Sequence, residues 1–348
     1  MIPLDSPHYT VHVMGSREEW KAARFLGIGA SEWAACLGMD PRRSPLEVYA
    51  DKRRMIEDAA RGIAPQSEPE DPDEMEEWLL WGQLLQRPVA SETCRRHGYS
   101  LTDPGAWTIL RSTLFPWMFC TLDYAVQEIL PAPADAGQYD PAPVGPWGAL
   151  ECKNMSGWLD ADWLPGTGGP PVYQVQLQAQ LATTGWTWGA LAGLLGGNRL
   201  RHHRHARHDS FIDAAVVQLD RFWSDVLEGR PPKPDHSASS GRGLEKLYEI
   251  DGAPTVELPP LGLVHLACWD EAQALRARAD ELEAEASQEV QALMGAATYA
   301  TIPGEPDRVF SWKRRAQGPQ LCQGCGAVVR KGWAKRILDV VKAKGRTR

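Results

Sequence analysis

The sequence predicts an α/β fold, a mixed central sheet flanked by helices over about 16–228 with a helical C-terminal extension. Three observations carry this. Capped helical periodicities come first, apolar strand-like runs follow, and a helix and a further strand close the segment. At 348 residues, with 43% hydrophobic and 24% charged side chains, the chain is long enough to bury a large core. No apolar run approaches the roughly 18 residues of a membrane span.

Residues 16–23 open on a Ser cap and read as a helix. Gly27–Gly29 reads as a turn, after which Ser31 is expected to cap a helix to about Leu37. Ser44-Pro45 starts another helix, with Ser at the cap and Pro in the first turn. Residues 60–73 are Pro- and acid-rich and read as a loop, and 74–97 as a long helix. Strands are expected at 107–113, 117–127 and 147–153, with a proline-rich insertion at 130–146. A helix at 170–184, a strand at 186–195 and a helix at 210–228 follow. Residues 230–243 look like a linker. The stretch 265–294 is a long amphipathic helix, with Val309–Trp312 as a short strand before a basic tail.

The net charge of −8 counts against a nucleic-acid partner only if it is evenly spread, and it is not. Residues 309–348 hold eleven Lys/Arg against Asp339 alone, so the remaining residues carry about −18. A second basic cluster, with four His, spans Arg199 to His208. It reads either as a solvated loop or as a phosphate contact; interleaved Arg disfavours a metal there. The seven cysteines and the absence of a signal-peptide pattern lead to an expectation of reduced thiols in a cytoplasm.

The residues with chemical promise are Asp123 in CTLDYAV and Glu151-Cys152-Lys153 in GALECKNM. Glu151 and Lys153 are two apart on a strand and so share a face. Two carboxylates converging there could hold a hard divalent cation, and a Lys beside them suits a water nucleophile and a phosphate. A surface cross-strand ion pair is the ordinary meaning of Glu-x-Lys, but here apolar strand segments flank the charges.

An ordered set of motifs then resembles the YqaJ-type viral recombinases, the phage lambda exonuclease family within the PD-(D/E)xK nuclease superfamily. It comprises Arg24-Phe-Leu-Gly-Ile-Gly-Ala-Ser31-Glu32, Ser44-Pro45-Leu46-Glu47-Val48-Tyr49, Trp81-Gly82-Gln83-Leu84-Leu85, Asp123, Glu151-x-Lys153, and Tyr173 to Gly185 with its alternating glutamines. More loosely, Val309 to Lys313 after a long helix resembles the family's extension. The resemblance implies a nuclease-like domain over 1–228, a linker region at 229–263 and a helical extension with a basic tail at 264–348.

It further implies a metal-dependent DNA exonuclease cutting duplex ends, typically 5′ to 3′, in phage-type recombination. Asp123, Glu151 and the Cys152 backbone carbonyl would bind Mg²⁺, for which Mn²⁺ could substitute. Lys153 would assist the water and Gln176 would support the site. Arg24 and Ser31 would hold the terminal 5′ phosphate. Double-stranded DNA ends, a single-strand annealing protein and a ring-trimer assembly are the implied partners.

The family position after W-G-x-x-L is usually Glu and here is Gln86, which counts against a second metal. Tyr124 stands where the family usually has Gly. Gln86 motivates an alternative, a DNA-end-binding protein with little or no catalysis; a structure-specific endonuclease is a third. Cys322 and Cys325 form half a zinc ribbon, so zinc there would need ligands from elsewhere, and a plain turn is the competing reading. Gln176 and Gln180 share one helix face and Gln174 and Gln178 another; one row is expected to face the site and one the solvent.

Overall fold

The computed structural model describes residues 2–4, 6–63, 77–131, 144–248, 255–317, 320–321, 328–330 and 333–342. The chain divides into two compact units, Met1–Asp251 and Gly252–Arg348. Cys322 and Cys325, and most of the 60–73 and 130–146 stretches, lie outside the described residues.

The first unit opens with β1 (Tyr9–Val13), α1 (Arg17–Arg24) and β2 (Ile28–Gly29). After a short 3-10 turn at Ala30–Glu32 come α2 (Trp33–Cys36), α3 (Pro45–Ala60) and α4 (Glu77–His97). Strands β3 (Tyr99–Thr102), β4 (Thr108–Ser112), β5 (Met118–Cys120), β6 (Tyr124–Ile129) and β7 (Val144–Met155) follow. Then come α5 (Pro171–Thr184), β8 (Trp188–Leu195), β9 (Arg199–Ala206), α6 (Asp209–Glu228) and α7 (Ala238–Leu247). The caps work as the sequence suggests: Ser16 Oγ accepts from Glu19 N, and Ser44 Oγ from Glu47 N with Pro45 leading α3.

Two sheets form, ordered β1-β4-β5-β2 and β3-β6-β7-β8-β9. In the second, β7 runs antiparallel to β6 and parallel to β8, so the sheet is mixed. The parallel step requires a crossover, which α5 supplies. Side chains alternate across β7: Ala149 joins the core under α5, while Leu150 and Cys152 join a second core with Val89, Ala90 and Cys94 of α4. Glu151 is thereby committed to the α5 side.

Several expected boundaries change. The predicted 117–127 strand is two strands in two sheets, because β5 pairs with β4 and β2 while β6 pairs with β3 and β7. The break puts Asp123 on the bend immediately before β6. Gly27–Gly29 is not a free turn: Ile28–Gly29 pairs in parallel with Met118–Phe119. Gly27 has to be glycine, since a Cβ there would lie 2.1 Å from the Trp117 carbonyl oxygen. Ser31 sits inside the 3-10 turn rather than capping a helix. The Glu32 carboxylate instead takes the Gly29 N–H at 2.9 Å.

The 199–208 cluster is a strand, β9, not a loop. The buried strand β8 needs a hydrogen-bonding partner along its outer edge, and β9 supplies it over eight residues. The stretch read as a linker contains α7, whose Ser239, Ser240 and Gly243 pack into α3. A Cβ at Gly243 would come within 2.9 Å of the Glu47 backbone. Glu47 is buried and accepts from Ser239, Arg242 and Lys246, which pins α7 in place.

The second unit holds α8 (Leu261–Met294), β10 (Tyr299–Ile302), β11 (Glu305–Gln317), β12 (Gln320–Leu321), β13 (Val328–Arg330) and β14 (Trp333–Lys342). Beyond α8 the described residues of the extension therefore form strands, not helix. A three-stranded antiparallel sheet is ordered β10-β11-β14, and β12 and β13 pair separately. Val, Ile, Phe and Trp in these segments favour strand. No helix among the described residues is long and apolar enough to cross a membrane.

Candidate active site

Glu151 is only 2% exposed, and both its carboxylate oxygens are occupied. Oε1 accepts from Lys153 Nζ at 2.6 Å and Gln176 Nε2 at 2.7 Å; Oε2 accepts from Gln180 Nε2 at 2.6 Å. The two glutamines are four apart on α5 and so lie one above the other on the helix. Lys153 Nζ also sits 4.8 Å from the centre of the Tyr173 ring. Burial works against the Lys153 charge, but Glu151 and then Asp123 outweigh it and hold the ammonium well above its ordinary pKa.

Asp123 reaches the same place from the bend before β6. Its Oδ2 accepts the Cys152 N–H at 2.8 Å, and the Gln86 amide donates to it from α4. Burial and the adjacent Glu151 charge push its pKa up to about 8, against the pull of Lys153. The Cys152 thiol is raised by burial, then by Asp123 and Glu151; it stays protonated and packs against α4 rather than serving as a nucleophile. Because N–H and C=O of a strand residue face the same edge, the Cys152 carbonyl looks toward the Asp123 side.

This donor set fits one hard cation. Two carboxylate groups, a backbone carbonyl facing the same edge and an excess of negative charge suit an ion that retains several waters. The Gln180 side-chain carbonyl oxygen is buried beside Glu151 without a hydrogen-bond partner. Among the described residues no group of three or more His, Cys, Asp and Glu forms that could hold a metal ion. Glu92, on the same helix as Gln86, is engaged by Arg95 and Arg96.

The second glutamine row is not solvated. Gln178 is buried; it donates to the Ala206 carbonyl and accepts from His208 N. Gln174 donates to the carbonyls of Thr167 and Gly169. One row builds the site and the other fastens α5 to its neighbours. Gln180 joins the site beside the expected Gln176; its i+4 spacing from Gln176 is the sequence signal that points to it.

Arg24 lines a separate cleft of about 700 Å³ together with Arg17, Lys21, Arg43, Lys52 and Arg54. Its guanidinium stacks 4.4 Å over the Trp20 ring, and its carbonyl accepts from Lys52 Nζ at 3.1 Å. Lys52, itself buried, pairs with Glu32 at 2.8 Å. Burial opposes the Glu32 charge, but Lys52, the Gly29 N–H and Arg43 hold its pKa below the usual carboxylate value. Ser31 is exposed on the neighbouring 3-10 turn and does not line the cleft. Gln83 lines it, one helical turn from Gln86, so α4 touches both places.

The β9 cluster is largely consumed by packing. His203 and His205 bond the carbonyls of Trp163 and Gly168, and Arg204 stacks on Trp188 and pairs with Glu128. His202 lies against His97 and Tyr99, and burial, then the neighbouring His97, lowers its pKa to about 4.

Fold and centre together define an α/β protein with a carboxylate–lysine centre on the middle strand of a mixed sheet. Residues 19–187 match the sequence profile of the YqaJ-like viral recombinase domain. A protein of Bacillus subtilis (strain 168) described as "Uncharacterized protein YqaJ" is 28% identical over 284 residues, covering 79% of each chain. Among solved structures, an alkaline exonuclease (LHK-Exo) from Laribacter hongkongensis is 18% identical with a TM-score of 0.46, over 61% of this chain and 94% of that one. The same enzyme in complex with dAMP gives the same figures.

Proposed function

We propose that this protein is a divalent-metal-dependent DNA exonuclease that hydrolyses phosphodiester bonds from duplex ends, 5′ to 3′. It would leave a 3′ strand for an annealing partner in phage-type recombination. The observation that carries the reading is the convergence of Glu151 and Lys153 of β7 with Asp123 of the bend before β6, with Gln86 of α4 on Asp123 and Gln83 of the same helix lining the Arg24 cleft. The match of residues 19–187 to the viral recombinase domain supports it.

Asp123, Glu151 and the Cys152 carbonyl would hold the cation. When bound, the ion offsets charge on the scissile phosphate and acidifies a water. Gln176 and Gln180 fix the rotamer of Glu151, and Gln86 that of Asp123. Lys153, kept as ammonium, orients the attacking water and faces the charge that builds up on the phosphate. A bond from water oxygen to phosphorus forms, the P–O3′ bond breaks, and the 3′ oxygen leaves with a proton. Arg24 receives the terminal 5′ phosphate in the basic cleft.

The test is digestion of linear duplex with and without a 5′ phosphate, in Mg²⁺, in Mn²⁺ and in chelator, using Glu151→Ala and Lys153→Ala. Loss of cleavage in both variants and in chelator is expected. Undiminished degradation in both would sink the assignment; cutting of closed circular DNA would replace it with an endonuclease.

A further inference from the structure

The ladder between β11 and β14 contains rungs that a sheet ordinarily avoids. Its register sets Arg314 opposite Arg336, Arg315 opposite Lys335 and, nearer the other end, Arg308 opposite Lys342. Like charges directly across a ladder repel one another and weaken it. From Trp312↔Leu338 to Gln317↔Trp333 the ladder carries five cations and no acid. Lys313 and Arg314 are exposed, and Lys313 Nζ lies 4.7 Å from the Tyr299 ring centre.

The same stretch is a ribbon of two strands. Strand β10 pairs with β11 only as far as Ser311, and among the described residues nothing pairs with β11 on that side beyond it. Successive strand positions alternate between faces, so positions 313, 315 and 335 belong to one face and 314 and 336 to the other. A polyanion on one side would be met by one face only. Cations on both faces fit a ligand with phosphates on both sides, as the two backbones that flank a duplex groove present them. A two-stranded ribbon is also of a width the major groove admits.

We propose that the β11–β14 ribbon is a second DNA-binding element, which grips the phosphates of double-stranded DNA along its length and needs no free end. Opposed cations weaken the ladder in the free protein, and the duplex relieves that repulsion when it binds. This goes beyond the hydrolytic reading and does not depend on it, since the ribbon makes no use of the Glu151 centre.

The experiment measures binding by the full chain, in chelator, to a short duplex closed by hairpins at both ends, at salt concentrations from about 50 to about 200 mM. The variant is Arg314→Glu with Arg315→Glu. It places opposite charges on both rungs, so the ladder is strengthened while the cationic ribbon is destroyed, and thermal unfolding should not shift down. Affinity is expected to fall about tenfold or more, and the slope of log affinity against log salt to shrink by roughly 0.9 for each phosphate the ribbon no longer neutralises. Charge-preserving Arg314→Lys with Arg315→Lys should keep both. Unchanged affinity and slope in the Glu variant would overturn the proposal, as would an equal loss on a single strand of the same length. The readout requires no cleavage, so an inactive enzyme would refute the hydrolytic reading and leave this one standing.

Discussion

Two largely buried lysine–glutamate pairs can be compared within the first unit, Lys153–Glu151 at 2.6 Å and Lys52–Glu32 at 2.8 Å. Each holds a carboxylate that the core would otherwise reject. Their surplus charges have opposite sign. Beside the first lies Asp123, leaving two carboxylates for one ammonium and a pKa raised to about 8. Beside the second lies Arg43, shared with Asp51 at 2.8 Å, and the cleft there is lined by six cations against Glu32 and Asp58. The first place asks for a cation and the second for an anion. What a buried pair will take is decided by the third charge next to it.

The largest effect should come from removing that third charge's partner in the first pair. Glu151→Gln keeps the shape and leaves Asp123 as the sole acid at the centre. Cleavage of linear duplex is expected to fall on the order of 10³-fold, with KM little changed, because the loss falls on the reacting phosphate rather than on the end. A small loss of kcat would mean that the centre does not perform the hydrolysis.

In the second pair the corresponding change reports on stability. Lys52→Met keeps the volume but strips Glu32 of its main partner in a site where the lysine side chain is 3% exposed. Leaving this carboxylate with only the Gly29 N–H and the more distant Arg43 should cost up to about 3 kcal/mol, measurable by urea unfolding. The double variant Lys52→Met with Glu32→Gln should recover most of it. Arg24→Ala is a smaller perturbation of the same cleft. The preference for a phosphorylated over an unphosphorylated 5′ end is expected to drop roughly ten- to a hundredfold, about the worth of one charge-assisted contact. A preference that survives intact would place the terminal phosphate elsewhere.

The contrast also separates what the sequence displays from what it hides. The Glu151/Lys153 face is legible because strand alternation is strict; Gln176 is legible only through the family resemblance, since helix spacing pairs it with Gln180 without telling which row faces the site. Asp123 can be picked out, but not the sheet change that aims it, since residues 118–129 are largely apolar and the pairing partners are remote in sequence. Helix α7 is hidden because Ser and Gly read as a linker, whereas here their smallness permits contact with α3. Neither basic region can be interpreted from composition. In β9 the charges and rings are matched by carbonyls, Glu128 and Trp188, and in the β11–β14 ribbon cation stands opposite cation. Only register distinguishes the two.

Titration offers a milder probe. Asp123 has a native pKa raised from 3.8 to about 8, so between those values the folded state binds more protons than the unfolded one. The sign follows: without a divalent ion, this group's contribution makes stability fall as pH rises from about 4 to about 8, and then level off. Asp123→Asn should flatten that slope in thermal unfolding across the same range. Added divalent cation should reverse it in the wild type only, because the ion competes with the proton for the same carboxylate. A wild-type profile identical to that of the variant would show that burial and Glu151 do not raise the Asp123 pKa.

The smallest expected effect is the one that tests the glutamine in α4. Gln86 donates an amide N–H to Asp123, which is a bond a carboxylate at that position cannot make. Gln86→Glu therefore replaces a stabilising donor with a third negative charge at a centre that already carries two for one ammonium. In the absence of divalent ion the Asp123 pKa should climb further and thermal stability at about pH 8 should drop slightly. In the presence of ion the extra carboxylate becomes useful: apparent metal affinity should rise a few-fold, and activity at limiting Mg²⁺ should rise with it. If Gln86→Glu instead lowers activity at every metal concentration, then the amide bond to Asp123 matters more than ligand charge. The centre would then be built around one ion positioned by a neutral donor.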